Sequence, residues 1–169
     1  MPFAGRVSQA RGVGHTEPDP RDDLPGVDVA RKLVILAREA GRELSLEQVR
    51  VESLVPEALR QASVDDFMAG LSQIDEVFAE RLAVANADGA VLRYVARLTP
   101  DGAEVGLVAL PAGHAFANLR LTDNVVQFTT RRYCDNPLVV QGPGAGPEVT
   151  AAGVFADVLR VAVGEGARL

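Results

Sequence analysis

Residues 63–110, SVDDFMAGLSQIDEVFAERLAVANADGAVLRYVARLTPDGAEVGLVAL, change their hydrophobic period once, and that change decides the fold. Up to about Ala85, the positions Val64, Phe67, Met68, Leu71, Ile74, Phe78 and Leu82 recur at helical spacing. Ser63 and Asp66 form a weak capping box at the start of this run. After Asp88-Gly89 the period drops to two. Leu92, Tyr94, Ala96 and Leu98 alternate with Arg93 and Arg97, as in a strand with one face in water. Asp101-Gly102 reads as a hairpin turn into a second strand at 104–110. A helix that feeds an antiparallel hairpin sets an α+β architecture.

Outward from this segment, the pattern extends in both directions. Residues 3–13 put Phe3, Val7 and Ala10 on one face of a short amphipathic helix. Residues 15–26, HTEPDPRDDLPG, carry three prolines and a glycine and read as loop. A helix is expected from Val27 to Ala40, closed by Gly41. Asp28, Arg31, Lys32, Arg38, Glu39 and Arg42 form its one polar stripe, so it is expected to be buried on its other sides. A strand is expected over 49–54, with others near 124–132 and 137–141 beyond a loop around His114. GPGAG (142–146) then leads into a helix over 148–163 with Val149, Ala152, Phe155, Ala156, Leu159 and Val163 inward.

 The fold expected is therefore helices packed on one mostly antiparallel or mixed sheet, plus a carboxy-terminal helix.

Composition narrows the function. The chain has 169 residues, a net charge of −6, 47% apolar residues and 24% charged residues, which suits a globular domain and not a disordered one. The acidic balance and scattered arginines disfavour a nucleic-acid partner. Cys134 is the only cysteine, so no intrachain disulfide or cysteine-rich zinc site forms, and a small buried or half-buried side chain is expected there. No run approaches the roughly 20 apolar residues that span a bilayer. The amino terminus has no apolar signal region, and the chain reads as cytoplasmic with no membrane partner.

The chemistry concentrates at 17–32. Glu17, Asp19, Asp22, Asp23 and Asp28 lie within the twelve positions 17–28, opposed there only by Arg21. Three readings fit: a solvated loop with acids near a helix amino terminus, a cation site, or a site for a positively charged small molecule. The spacing does not match a calcium loop, and no metal is expected. Asp28 and Lys32 stand one helical turn apart, so they form either a surface ion pair or a functional couple. A lysine held among carboxylates is suited to donate a proton. GPGAG lacks both the GxGxxG spacing and the following acidic residue of a full dinucleotide site, so alone it reads as a tight turn.

The run from Ala10 through Gly14, His15, Thr16, Glu17, Pro18, Asp19, Pro20, Asp23, Leu24, Gly26 and Asp28 to Lys32 closely resembles the homoserine dehydrogenase signature. NPLVVQGPGAGPEVTAAGVFADVLR (136–160) resembles that family's carboxy-terminal segment, and LSQIDEVFAERLA and LRYVARL also fit. The wording TEPDPRDDL looks most like the bifunctional aspartokinase–homoserine dehydrogenases. His15 and Pro147 depart from the residues usual at those positions.

The resemblance implies an NAD(P)-dependent oxidoreductase that interconverts L-aspartate 4-semialdehyde and L-homoserine, on the route to threonine and methionine. It implies that Glu17, Asp23 and Asp28 bind the substrate, that Lys32 donates the proton, and that Gly146 touches NADP or NAD. It further implies a homodimer, with 1–141 as the substrate-binding and dimerisation domain. Residues 142–169 would belong to a nucleotide-binding domain whose amino-terminal part lies outside this chain, and the last helix would pack on it. The alternatives are a non-catalytic remnant that serves as a dimerisation or binding module, and a stand-alone acidic cation-binding domain.

Overall fold

The change of period at Asp88-Gly89 is a real boundary: Gly89 takes a φ of 65° and turns the chain out of a helix into a strand. The computed structural model describes residues 1–119, 123–144 and 146–164, in two units, Met1–Ala112 and Gly113–Leu169. In the first unit, β2 (Ala90–Thr99) pairs antiparallel with β3 (Gly102–Pro111) along its whole length. Thr99 lies opposite Gly102, so Pro100-Asp101 forms the tight turn. β1 (Val49–Val51) joins the other edge of β3 in parallel, with Val49 opposite Ala103. The strand expected over 49–54 ends at Val51, although Glu52 N still donates to the Val105 carbonyl at 2.8 Å.

Alternation along these strands gives the sheet one apolar face, and α2 (Val27–Glu39) covers it. Ala30, Leu33 and Val34 pack with Val49, Ala103 and Val105, flanked by Tyr94, Ala96 and Leu98. The expectation that α2 is buried on most sides is corrected: Ile35 is 59% exposed and Leu36 39%. A single sheet covers only one side of a helix, and Ala30, Leu33, Val34 and Ala37 make up that side.

A second cluster joins Val7 of α1 (Phe3–Gly12) to Val55, Leu59, Phe67 and Leu71. Phe67 and Leu71 are fully buried, and each such side chain contributes about 1.5–3 kcal/mol. The continuous helix expected from Ser63 to Ala85 is three pieces: α3 (Val64–Gly70), a 3₁₀ turn (Leu71–Ile74) and α4 (Asp75–Ala87). Packing causes the break. A Cβ on Gly70 would stand 2.7 Å from Leu59 Cδ2, so the two segments close directly on one another there. The tighter turn keeps Leu71 inside and presents Asp75 Oδ1 to Ala4 N at 2.8 Å. Ser63 does cap α3, its hydroxyl accepting from Asp66 N at 3.1 Å.

The second unit has its own antiparallel ladder, β4 (Asp123–Phe128) with β5 (Leu138–Pro143), followed by α5 (Pro147–Gly164). Pro147 opens the helix, where its missing N–H costs nothing. The face of α5 read as inward lies open here: no residue of the helix is buried, and Phe155 is 63% exposed. A two-stranded ladder offers too little surface to cover it. Cys134, expected to be buried or half-buried, is exposed, because it sits in the polar connection that includes Arg131, Arg132, Asp135 and Asn136. Among the described residues, no helix is long and apolar enough to cross a membrane. The architecture is α+β, with a mixed three-stranded sheet and a small antiparallel ladder.

Candidate functional site

The acidic loop is anchored before it carries any chemistry. Pro20 is fully buried, and the chain turns around it through Asp22 N to Asp19 O (3.0 Å) and Leu24 N to Pro20 O (2.9 Å). Leu54 N donates to the Leu24 carbonyl at 3.0 Å and ties the loop to the segment after β1. Arg21 grips Asp19 in a fork, with Nη2 to Oδ2 at 2.6 Å and Nε to Oδ1 at 2.9 Å. Its other terminal nitrogen donates to the carbonyls of Ala62 and Arg60, and its guanidinium lies 5.7 Å from the Phe67 ring centre. The Arg21 side-chain hydrogen bond holds the Asp19 carboxyl below the usual carboxylate range, and the same contact raises Arg21. These two residues therefore fasten the loop.

The residues singled out in the sequence fall into two couples. Asp23 Oδ2 accepts from Glu17 N at 2.8 Å, which folds the loop so that Glu17 and Asp23 are neighbours. Gly26 then takes a left-handed φ of 76° and starts α2. Asp28 Oδ2 and Lys32 Nζ meet at 2.8 Å, with both side chains about 60% exposed (60% and 62%). Among the described residues, no hydrogen bond or ion pair joins one couple to the other. Lys32 is the only lysine in the chain. That matters chemically, since an ammonium can serve as a proton donor to a developing oxyanion, whereas a guanidinium keeps its protons.

Gly146 lies in the second unit, with a φ of 126° and, among the described residues, no atom within 4 Å of where a Cβ would be. Its carbonyl accepts from Thr150 N at 3.1 Å, so it stands at the amino terminus of α5, where free backbone N–H groups favour an anion. Among the described residues, no group of three or more histidine, cysteine or acidic side chains could hold a metal.

Reading the sequence did not single out a network that meets the start of α2 at Gly26: Glu52, Arg81 and Tyr94. Glu52 Oε1 receives Arg81 Nη1 at 2.6 Å, and Glu52 Oε2 receives Leu107 N at 2.9 Å. The Arg81 contact holds the Glu52 carboxyl below its ordinary range. Tyr94 Oη donates to the Glu52 carbonyl at 2.6 Å; burial raises this phenol, and the Glu52 charge adds to the effect. One signal was available. Gly106 sits inside a strand, and a glycine there often marks a close approach by another group.

A homoserine dehydrogenase family model matches residues 1–159. The chain is 52% identical over 163 residues to the bifunctional aspartokinase/homoserine dehydrogenase 2, chloroplastic, of Zea mays, across 95% of this chain and 18% of that protein. It is 48% identical over 159 residues to the homoserine dehydrogenase of Paracoccidioides brasiliensis, across 92% of this chain and 43% of that protein. A Candida auris crystal structure of a protein of unknown function superposes with a TM-score of 0.91 at 43% identity, across 96% of this chain and 46% of that one. The chain thus spans under half the length of each of these proteins.

Proposed function

The chain belongs to the homoserine dehydrogenase family, and on that premise we propose that it is the substrate-binding part of an enzyme that interconverts L-aspartate 4-semialdehyde and L-homoserine with NAD(P)H. The observation that carries this reading is the Asp28–Lys32 pair at 2.8 Å beside an anchored acidic loop. Glu17 and Asp28 bind the substrate, their carboxylates suited to its ammonium group and reacting end, and Asp23 shapes the same pocket through its bond to the Glu17 backbone. Lys32 donates its proton to the carbonyl oxygen as negative charge builds there, and Asp28 orients the ammonium that does so.

The cofactor supplies the hydride. This chain's share in holding it is Gly146, whose open Cβ side and position at the start of α5 fit an anionic group. Residues 1–141 are the substrate-binding and dimerisation part, and 142–169 belong to the nucleotide side. The exposed apolar face of α5 supports that division. The functional form is a homodimer.

A second reading, a non-catalytic binding or assembly module, is favoured by the openness of the Asp28–Lys32 pair to solvent. NADPH oxidation with L-aspartate 4-semialdehyde separates the two. The enzyme reading expects the 169-residue chain to bind L-homoserine and, when joined to a nucleotide-binding domain, to turn over at a rate that falls by about 10²–10⁴-fold in Lys32→Met. No turnover, together with no binding of L-homoserine, would leave only the module.

A further inference from the structure

Two glycines make room for a single network. A Cβ on Gly26 would collide with Tyr94 Oη, and a Cβ on Gly106 would stand 2.7 Å from Glu52 Oε2. Between these points lies Glu52. Its carboxylate fastens α4 through Arg81 (2.6 Å) and β3 through Leu107 N (2.9 Å), while Arg81 Nη2 also reaches the Leu107 carbonyl at 3.1 Å. Its carbonyl holds the Tyr94 hydroxyl at 2.6 Å, directly beneath the residue where α2 begins. Two positions further on, Leu54 N holds the acidic loop at Leu24. The same short segment therefore bonds the loop at one point and, through Tyr94, meets the start of the Asp28–Lys32 helix at another.

We propose that Glu52 is a positioning residue for the site: acting through Tyr94 at Gly26, it sets where α2 starts and so where Asp28 holds Lys32. This rests on the reading of Asp28 and Lys32 as site residues. As an ion pair alone, Glu52–Arg81 would contribute little, because its side chains are 43% and 36% exposed. What distinguishes it is that the carboxylate also satisfies a strand N–H while its own backbone oxygen orients the tyrosine. The network thus sets geometry more than it adds stability.

The sole lysine makes the test direct. The full 169-residue chain labelled with ¹³C at the lysine ε-carbon gives one lysine resonance, from Lys32. Glu52→Gln and Tyr94→Phe each keep the side-chain shape and break one link. Both are expected to retain the wild-type circular dichroism, to shift or broaden the Lys32 resonance, and to weaken L-homoserine binding about tenfold. Arg160→Ala, which removes the exposed ion pair with Asp157, should change neither readout. A Lys32 resonance that matches wild type in both variants overturns the proposal. Should Glu52→Gln fail to fold, Tyr94→Phe, which removes only a hydroxyl, decides it. Should the wild-type chain fail to bind L-homoserine, the functional reading fails, and the Lys32 resonance still decides the positioning role.

Discussion

The acidic loop 15–26 and helix α5 invert the usual relation between polarity and burial. The loop is rich in charge, yet Pro20 and Gly26 are buried and side-chain and backbone bonds hold it from several directions. α5 is mostly apolar, yet none of its eighteen residues is buried. Local composition would predict the reverse. Long-range partners decide where a segment sits, and the loop has Ala62, Leu54 and Phe67 to hold it.

The comparison breaks first, and hardest, at Phe67. Phe67→Ala removes a fully buried ring beneath Arg21, and a loss of about 3–5 kcal/mol in urea-unfolding stability is expected. If the loss is under about 1 kcal/mol, the loop is not anchored on that core. Acid provides a milder test. Asp19 and Glu52 both have folded-state pKa values below their ordinary ones, so their stabilisation is present above the ordinary carboxylate range and is lost as pH falls through the depressed values. The urea midpoint should fall as pH is lowered below roughly 4. Arg21→Met should flatten that dependence by removing the main cause of the Asp19 shift. At the small end, Phe155→Ser should change unfolding stability by less than about 0.5 kcal/mol while lowering self-association in sedimentation. A large loss of stability would mean that α5 is packed in solution.

The elements set by local pattern were legible in the sequence: α1, α2, the β2–β3 hairpin and the bounds of α5 all follow from periodicity and from Gly41, Gly89 and Pro147. The break at Leu71–Ile74 was not, because it depends on the close approach of Gly70 to Leu59, which no spacing reveals. The same is true of the exposed Ile35 and Cys134, whose setting depends on how much of the surrounding surface is covered. At the site, the residue types from Glu17 to Lys32 were readable, and so was the Asp28–Lys32 spacing. The supports were not. Arg21 reaches Ala62 and Tyr94 reaches Glu52 across about forty residues of chain, and a charge or a phenol in isolation does not announce such a partner.

The parallel ladder between β1 and β3 has a consequence for the order in which this unit assembles. The β2–β3 hairpin closes over a two-residue turn, whereas Val49 must find Ala103 across half the unit's chain. Closing the shorter loop costs less entropy, so the hairpin can form early and β1 joins it late. Leu54 and Glu52 follow β1 directly, and both are tied to the acidic loop or the start of α2. The segment that ties down the acidic loop is therefore acquired last, and the first local opening of the native state should loosen it while the hairpin stays paired.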